Sequence, residues 1–325
     1  MKNPDRSSLT RGYLIALVSA VFLSTTAIFI RYLTQVYHLP ALVLAFWRDA
    51  FVVLTLWPVF KIIQPQFLTL DRKHIPYLAA YGLVLAIFNS LWSLSVSLNG
   101  AAVATVLVYS SAAFTALLGW WLLKESLGWP KLLAVALSLG GCVLVSGMLS
   151  SAVSSANLAG ILTGFLSGLS YAAYTLMGRS AARRGLNPWT TLFYTFGFAA
   201  IILLIVNLLP AGLLPGSAAR PMDLFWLANA WLGWAILFLL AAFPTVLGFG
   251  LYNVSLTYLP SSVVNLIVTS EPVFTAMFAY ILFGEQLTGV QLGGSMLILG
   301  GVIFLRIYEG WVASRSALIR NATIK

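Results

Sequence analysis

Ten predominantly apolar runs, each close to 20 residues long, follow one another along this chain with only short polar breaks between them. About 20 such residues are what a helix needs to cross a hydrocarbon core about 30 Å thick. The runs lie near 12–30, 40–60, 76–97, 102–123, 130–149, 157–178, 188–209, 230–257, 262–283 and 289–306, and each predicts a spanning helix. Composition excludes a soluble alternative. Of the 325 residues, 60% are hydrophobic and 8% charged, whereas soluble domains carry about 25% charged residues. The bilayer must serve as most of the solvent. Lys2, Arg6 and Arg11 precede the first run as they would in a signal peptide. That run is too long for one and lacks a small-residue cleavage site, so it is expected to be retained as a span.

A formal net charge of +10 would suit a nucleic-acid binder, but its placement argues against one. With the N-terminus inside, 15 of the 18 Lys and Arg fall on the inner side; only Arg31 and Arg220 fall outside, and Arg48 lies within a span. This asymmetry is the positive-inside pattern. The basicity encodes topology, with some attraction to anionic membrane lipids, and no nucleic-acid partner is expected. Both termini are predicted to be cytoplasmic, in the plasma (inner) membrane. Cys142 is the one cysteine, so no intrachain disulfide can form, and His38 and His74 offer no basis for a metal centre. The P-loop, H-E-x-x-H and G-x-S-x-G patterns are absent, so no cofactor is expected and the chain does not read as an enzyme.

The chain also repeats itself. Residues 114–141, "FTALLGWWLLKESLGWPKLLAVALSLGG", align without a gap on 274–301, "FTAMFAYILFGEQLTGVQLGGSMLILGG", at a constant offset of 160. Phe114, Thr115, Ala116, Leu122, Glu125, Leu127, Leu132, Leu137, Leu139, Gly140 and Gly141 all recur. The first parts of the two halves match more loosely at an offset of 148, with Gly12, Ser19, Arg31 and Pro40 answering Gly160, Ser167, Arg179 and Pro188. Five spans is an odd number, so the second half must lie upside down relative to the first. Charge agrees: Lys124 and Lys131 flank an inner turn, whereas their counterparts Gly284 and Gln291 flank an outer one. The predicted fold is an all-α polytopic membrane protein of ten transmembrane helices in two inverted five-helix repeats, an arrangement common among transporters. The expected divisions are an N-terminal segment 1–11, a first repeat 12–149, a linker 150–156, a second repeat 157–307 and a C-terminal tail 308–325. Gly160, Gly164 and Gly168, spaced four apart, are expected to admit a close neighbouring helix, and Gly140-Gly141, Gly293-Gly294 and Gly300-Gly301 to act likewise.

Each half ends in a span, an acidic turn ("LLKESLGWPK", "LFGEQLTGVQ") and a Gly-rich span. In this combination and order the chain resembles the drug/metabolite transporter superfamily, EamA-type ten-helix branch, over residues 12–307. The Arg of "FWRDAFV", Arg48, matches an Arg frequent in that family's second span, and Glu271-Pro272 matches a Glu-Pro frequent in its ninth. In the first half Ser111-Ala112 stand where the proline motif would repeat. The resemblance implies movement of small metabolites by alternating access.

Only Arg48, Asp49 and Glu271 bring charge well inside spans. Such groups are expensive against lipid and normally face a bundle interior or a watery cavity. Counted from the span ends, Arg48 lies roughly 12 Å from the outer side and Glu271 roughly 13 Å from the inner side. Long side chains could therefore meet; the sequence leaves open whether Arg48 and Glu271 pair across the halves, with Asp49 directed to other neighbours because adjacent helical positions diverge by about 100°. A carboxylate that Arg48 does not neutralise is a candidate proton carrier. Pro272 lacks an N–H and should break the ninth helix, leaving the Val268 carbonyl without its helical partner. Bare carbonyls suit a cavity rather than lipid. Asn89, Trp92, Tyr109, Tyr252 and Asn265 are expected to complete a central substrate- or proton-binding site, with Tyr171, Tyr174 and Asn253 as further candidates. Trp92 and Tyr252 are repeat mates.

The reading is a secondary active transporter of a small polar or amphipathic metabolite, an amino acid among the candidates, with efflux and proton coupling as expectations. Its rivals are an uncoupled facilitator, a lipid-linked substrate flippase and, from other classes, an intramembrane enzyme or a membrane scaffold. Partners implied are the small-molecule substrate, membrane lipids and protons; the oligomeric state is not encoded.

Overall fold

A computed structural model describes residues 6–145, 158–209, 214–283 and 288–323. The expected linker 150–156, the first residues of the N-terminal segment and the acidic turn around Glu285 lie outside them. Twelve helices carry the described chain: α1 Arg6–Val36, α2 Ala41–Ile63, α3 Ile75–Tyr109, α4 Ser111–Leu123, α5 Trp129–Val145, α6 Leu158–Arg183, α7 Pro188–Asn207, α8 Trp231–Leu240, α9 Val246–Tyr258, α10 Ser261–Val268, α11 Glu271–Phe283 and α12 Gly289–Thr323. Proline marks several starts: Pro40 precedes α2, and Pro76 and Pro188 occupy the first turns of α3 and α7. A proline there gives up an N–H that has no helical partner anyway. Asn187 completes the entry to α7 by accepting from the Trp189 and Thr190 amides.

Twelve helices make ten spans because some spans are interrupted. The eighth span joins α8 to α9 through a widened turn, Ala241–Thr245, around Pro244. The ninth is α10 and α11, separated by Thr269 and Ser270. Helical bonding persists along the whole of α3, yet the chain reverses within it. A Cβ placed on Gly164 would stand 2.8 Å from Ser95 Oγ and 2.7 Å from Leu107 Cβ, so those atoms are at most about 5.5 Å apart. Twelve residues of straight helix would separate them by about 18 Å. The third span therefore ends near Ser95 and the fourth runs through Leu107 into α4. Among the described residues, five segments are long and apolar enough to cross a membrane: Leu9–Val36, Ala41–Ile63, Arg72–Ser95, Pro188–Asn207 and Trp231–Tyr258. Shorter apolar stretches at Leu107–Leu123, Trp129–Leu144 and Leu292–Leu305 serve other spans. The chain beyond 307, expected as a tail, continues α12 as far as Thr323.

The halves interlock rather than sit side by side. α3 packs on α6, and α1 packs on α8 and α9. Exchanging the halves turns one of these contacts into the other. α2 with α7 and α5 with α12 map onto themselves. This is the contact pattern of a pseudo-twofold axis lying in the membrane plane. The solvent relation is likewise inverted: Trp57, Trp120, Trp121, Ile201 and Ile205 are exposed, whereas Ser19, Ser95, Ser167, Thr175 and Asn265 are buried.

The glycine expectation divides. Gly164 and Gly168 lie against the fourth span, where a Cβ would meet Leu107 Cβ at 2.7 Å and Ser110 Oγ at 2.5 Å respectively. Gly141 lies against α12, where a Cβ would meet the Gly294 carbonyl oxygen at 2.6 Å. Gly140, Gly293 and Gly300, expected to pack as well, have nothing within 4 Å of that position. Within each Gly-Gly pair the helical rotation of about 100° per residue turns one member away from the partner helix.

Gly141→Leu should therefore destabilise the detergent-solubilised protein by about 1–3 kcal/mol, the usual range for overpacking, because a backbone carbonyl cannot step aside. Gly140→Leu should stay within about 0.5 kcal/mol of the parent. Thermal unfolding of the two variants, measured side by side, checks the assignment.

Candidate functional site

The site begins with the broken ninth span. At the end of α10 the Ser270 amide donates to the Ile267 carbonyl at 3.0 Å, and the Ser270 hydroxyl donates to the same oxygen at 2.7 Å. The Val273 amide then donates to the Ser270 carbonyl at 3.0 Å, opening α11. The first half does the same thing 160 residues earlier. Ser110 donates from its amide (3.1 Å) and its hydroxyl (2.6 Å) to the Leu107 carbonyl, and the Ala113 amide donates to Ser110 at 3.0 Å. At both breaks a serine donates twice to the carbonyl three residues back. The first half has Ala112 where the second has Pro272, so a break of this kind does not require proline. Pro272 occupies the first turn of α11, where its missing N–H is harmless. The ninth span is interrupted at Thr269–Ser270, directly before Pro272. Hydroxyls of Thr269 and Ser270 also take the Leu266 and Ile267 carbonyls, so the end of α10 is less bare than the sequence suggested.

Two helix N-termini consequently lie partway through the bundle, α4 at Ser111 and α11 at Glu271. A helix N-terminus carries a partial positive charge that favours an acidic side chain in its first turn. Burial changes abruptly at the same point. All ten residues from Ser261 to Ser270 are buried, whereas Glu271 to Thr275 are partly exposed. Glu271 is therefore neither sealed in the core nor fully open. The Tyr109 hydroxyl lies beside its carboxyl, with Tyr171 and Cys142 close enough to feel its charge. Among the described residues no salt bridge involves Glu271.

Arg48, the candidate partner, is engaged elsewhere. Arg48 Nε lies 3.3 Å from Asp49 Oδ1. Adjacent helical positions do point apart, but the guanidinium sits on a three-carbon stem long enough to fold back across its neighbour. Asn89 donates to the other Asp49 oxygen at 3.0 Å. Arg48, Asp49 and Asn89 are 5%, 0% and 1% exposed, so this is an interior ion pair with a hydrogen-bonding third member. Arg48 Nη2 and Asn89 Oδ1 have no hydrogen-bond partner. Trp92, one turn along from Asn89, is partly buried and packs against both apolar clusters of the interior.

A second network joins the halves. Tyr252 and Thr175 share a hydrogen bond of 2.6 Å, Asn265 donates to Thr175 at 3.2 Å, and Ser111 donates to Asn265 Oδ1 at 3.1 Å. The first residue of α4 is thereby tied through α10 to α6 and α9. Aromatic rings connect the two networks. Phe88 stacks on Tyr171 at 4.9 Å, and Tyr171 stands 6.0 Å from Tyr252. The predicted residues thus fall into an Arg48–Asp49–Asn89 group and a Tyr109–Glu271 and Tyr252–Asn265 group, bridged by Phe88 and Tyr171. Thr175 and Phe88 escaped the sequence reading because a single small hydroxyl or aromatic residue in an apolar run looks like ordinary packing, and Ser111 was read only as a departure from the proline motif.

Glu125 is the larger omission. It was legible only as part of a repeated acidic turn, yet it is 6% exposed and accepts four hydrogen bonds from Ser261 and Ser262 of the other half. Hydrogen bonds to a charged group contribute about 1.5–3 kcal/mol each. A surface cleft of about 360 Å³ lies elsewhere, between Gln66, Asp71, His74 and Asn187. No group of three His, Cys, Asp or Glu that could hold a metal occurs among the described residues.

Comparison with known proteins agrees with this architecture. The model of the EamA-like transporter family matches twice, over residues 10–147 and 158–307. An uncharacterized transporter of Archaeoglobus fulgidus is 29% identical over 67% of this chain and 73% of its own length. An uncharacterized transporter of Clostridium kluyveri is 22% identical over 91% and 93%. A protein of Salmonella typhimurium described as a probable amino-acid metabolite efflux pump is 25% identical over 87% of this chain and 90% of its own. A solved crystal structure shares the fold, with a TM-score of 0.73 over 93% of this chain and 99% of that one at 14% identity. Two family matches that divide the chain between its inverted halves place it plainly: this integral membrane protein belongs to the EamA-like transporter family.

Proposed function

We propose that the protein is a secondary active transporter that carries a small polar or amphipathic metabolite, of the amino-acid class, out of the cell by alternating access and in exchange for protons. The observation that carries this reading is Glu271: an acidic residue without a salt-bridge partner among the described residues, partly exposed, at the N-terminus of a half-helix inside the bundle. Such discontinuous helices between inverted repeats are where transporters of several folds hold substrate and coupling ion. Tyr109 and Tyr171 give the site aromatic walls that suit an amphipathic ligand. The amino-acid class and the outward direction draw on the Salmonella typhimurium relative. The 15-to-2 distribution of Lys and Arg supports a cytoplasmic location for both termini and for the end of the bundle bearing Lys124 and Lys131, in the plasma membrane.

In this proposal the three interior charges divide their work. Asp49 and Arg48 neutralise one another and brace α2 against α3 through Asn89, whereas Glu271 takes up and releases the proton.

In proteoliposomes carrying a proton gradient, Glu271→Gln should reduce gradient-driven accumulation of amino acids at least tenfold and leave substrate exchange in place. Unchanged accumulation would remove Glu271 from coupling. Asp49→Asn should instead act on stability. Removing one member of a buried pair strands the other, at a cost of about 3–5 kcal/mol, so its unfolding temperature should fall well below that of Glu271→Gln. Equal thermal stability of the two variants would contradict the division.

A further inference from the structure

The end of the bundle rich in Lys and Arg contains an arrangement that the proposed coupling site does not use. α10 is eight residues long, lies between Pro260 and the Thr269–Ser270 turn, and is buried on every side. Its N-terminus is held by a residue of the other half. Glu125 Oε1 accepts from the Ser261 amide and hydroxyl, both at 2.8 Å, and Oε2 accepts from the Ser262 amide at 3.3 Å and hydroxyl at 2.8 Å. Lys131 donates to the Ser262 hydroxyl at 3.0 Å and to the Ser126 carbonyl at 2.7 Å. Gly119 leaves the space for this, since a Cβ there would stand 3.0 Å from Glu125 Oε2.

Behind this clamp lies a group of buried polar atoms without a well-formed hydrogen bond: the Tyr81 and Tyr174 hydroxyls and both polar atoms of the Asn253 side chain, with the Tyr174 hydroxyl close to both of the others, and Arg179 Nε. They are neighbours. The Tyr81 and Tyr174 rings are 4.7 Å apart, and a Cβ on Gly178 would lie 2.7 Å from the Tyr81 hydroxyl and 3.5 Å from Asn253 Oδ1. Arg179 donates from Nη1 to the Leu256 carbonyl, one turn beyond Asn253 on α9. Along α6, Thr175 of the Tyr252–Asn265 network comes first, then Gly178 and Arg179. Arg183 follows, donating to the Leu123 carbonyl at the end of α4. Folded proteins leave few buried polar groups unsatisfied. A column of them leading from a mid-membrane network to a clamped helix end has a simple use: water and a polar solute satisfy these groups when the column opens.

We propose that this column, between α3, α6, α9 and α10, is the substrate's route between the central site and the basic end, and that the grip of Glu125 on α10 is its gate. While the grip holds, α10 seals the route. On release, α10 swings as a short rod about the Thr269–Ser270 turn. The repeat makes the gate one-sided. The positions that answer Ser261, Ser262, Lys131 and Gly119 are Ala101, Ala102, Gln291 and Ala279. The opposite end therefore lacks the hydroxyls and the cation, and the ligand-free protein rests closed at the basic end.

This inference rests on the transporter reading, and its test does not depend on transport. In a Cys142→Ala background, an Asn253→Cys reporter is exposed to a membrane-impermeant maleimide from each side of oriented vesicles. Labelling from the basic-end side should be at least tenfold faster with Glu125→Gln than with Glu125 intact. Ser261→Ala/Ser262→Ala, which removes two of the four donors, should give an intermediate rate. Equal rates in all three, or faster entry from the opposite side, overturn the gate. A second measurement covers a variant that folds poorly: spin labels at the exposed positions Lys124→Cys and Thr257→Cys should move apart in the double serine variant, and an unchanged distance also overturns the gate. Gradient-driven uptake with no labelling of the reporter under any condition refutes the route alone. A column that opens in a protein that moves no substrate refutes the transporter reading.

Discussion

A backbone N–H or C=O left bare in hydrocarbon costs several kcal/mol, and the structure is organised around where that penalty is avoided. Most spans avoid it by unbroken helix. Among the described residues the eighth span widens at Ala241–Thr245, and two breaks, at Ser110 and at Thr269–Ser270, stop and restart the helix inside the bundle. Each is stabilised locally by a serine that donates twice to one carbonyl. Each is also packed by the other half: Gly168 lies against Ser110, and Cys142 donates weakly from its thiol to the Thr269 carbonyl. The breaks survive because they face protein and not acyl chains.

On this symmetric frame the chemistry is asymmetric. The restarting residue is Ser111 in one half and Glu271 in the other, so one helix N-terminus bears a neutral hydroxyl and the other a carboxyl. Ser111 is spent on Asn265, tying the halves together. Glu271 sits where burial gives way to partial exposure. The same divergence separates Glu125, gripping Ser261 and Ser262, from an opposite end where alanines occupy the serine positions. Inverted repeats supply two equivalent conformations in principle, and in the proposed transport cycle differences of this kind would decide which is occupied at rest and where a coupling ion binds.

Much of this was legible beforehand, in particular residues. The gapless 114–141 and 274–301 match, with five apolar runs per half, requires inverted halves, and the contacts of α1 with α9 and α3 with α6 show them. Arg48, Asp49 and Glu271 stood out because charge within a span needs a reason. Their partners did not follow. The Arg48–Asp49 pair depends on how a flexible stem folds back, and backbone periodicity carries no information about that. Gly140 and Gly141 look identical in sequence, yet only one meets the partner helix, because the face that α5 turns to α12 is set by the whole bundle.

The amino-acid sequence by itself determined the solvent, the number of spans and the inversion. Those properties follow from local run length, apolar content and the repeat, each readable from residues close together in the chain. Tertiary structure alone decided which groups meet: Glu125 with Ser261 and Ser262, Asn265 with Ser111 and Thr175, Arg48 with its own neighbour in place of Glu271. Hydrogen bonds and ion pairs act over about 3 Å and depend on angle. Residues 90 to 154 positions apart are brought to that distance only when two five-helix halves have already closed upon each other.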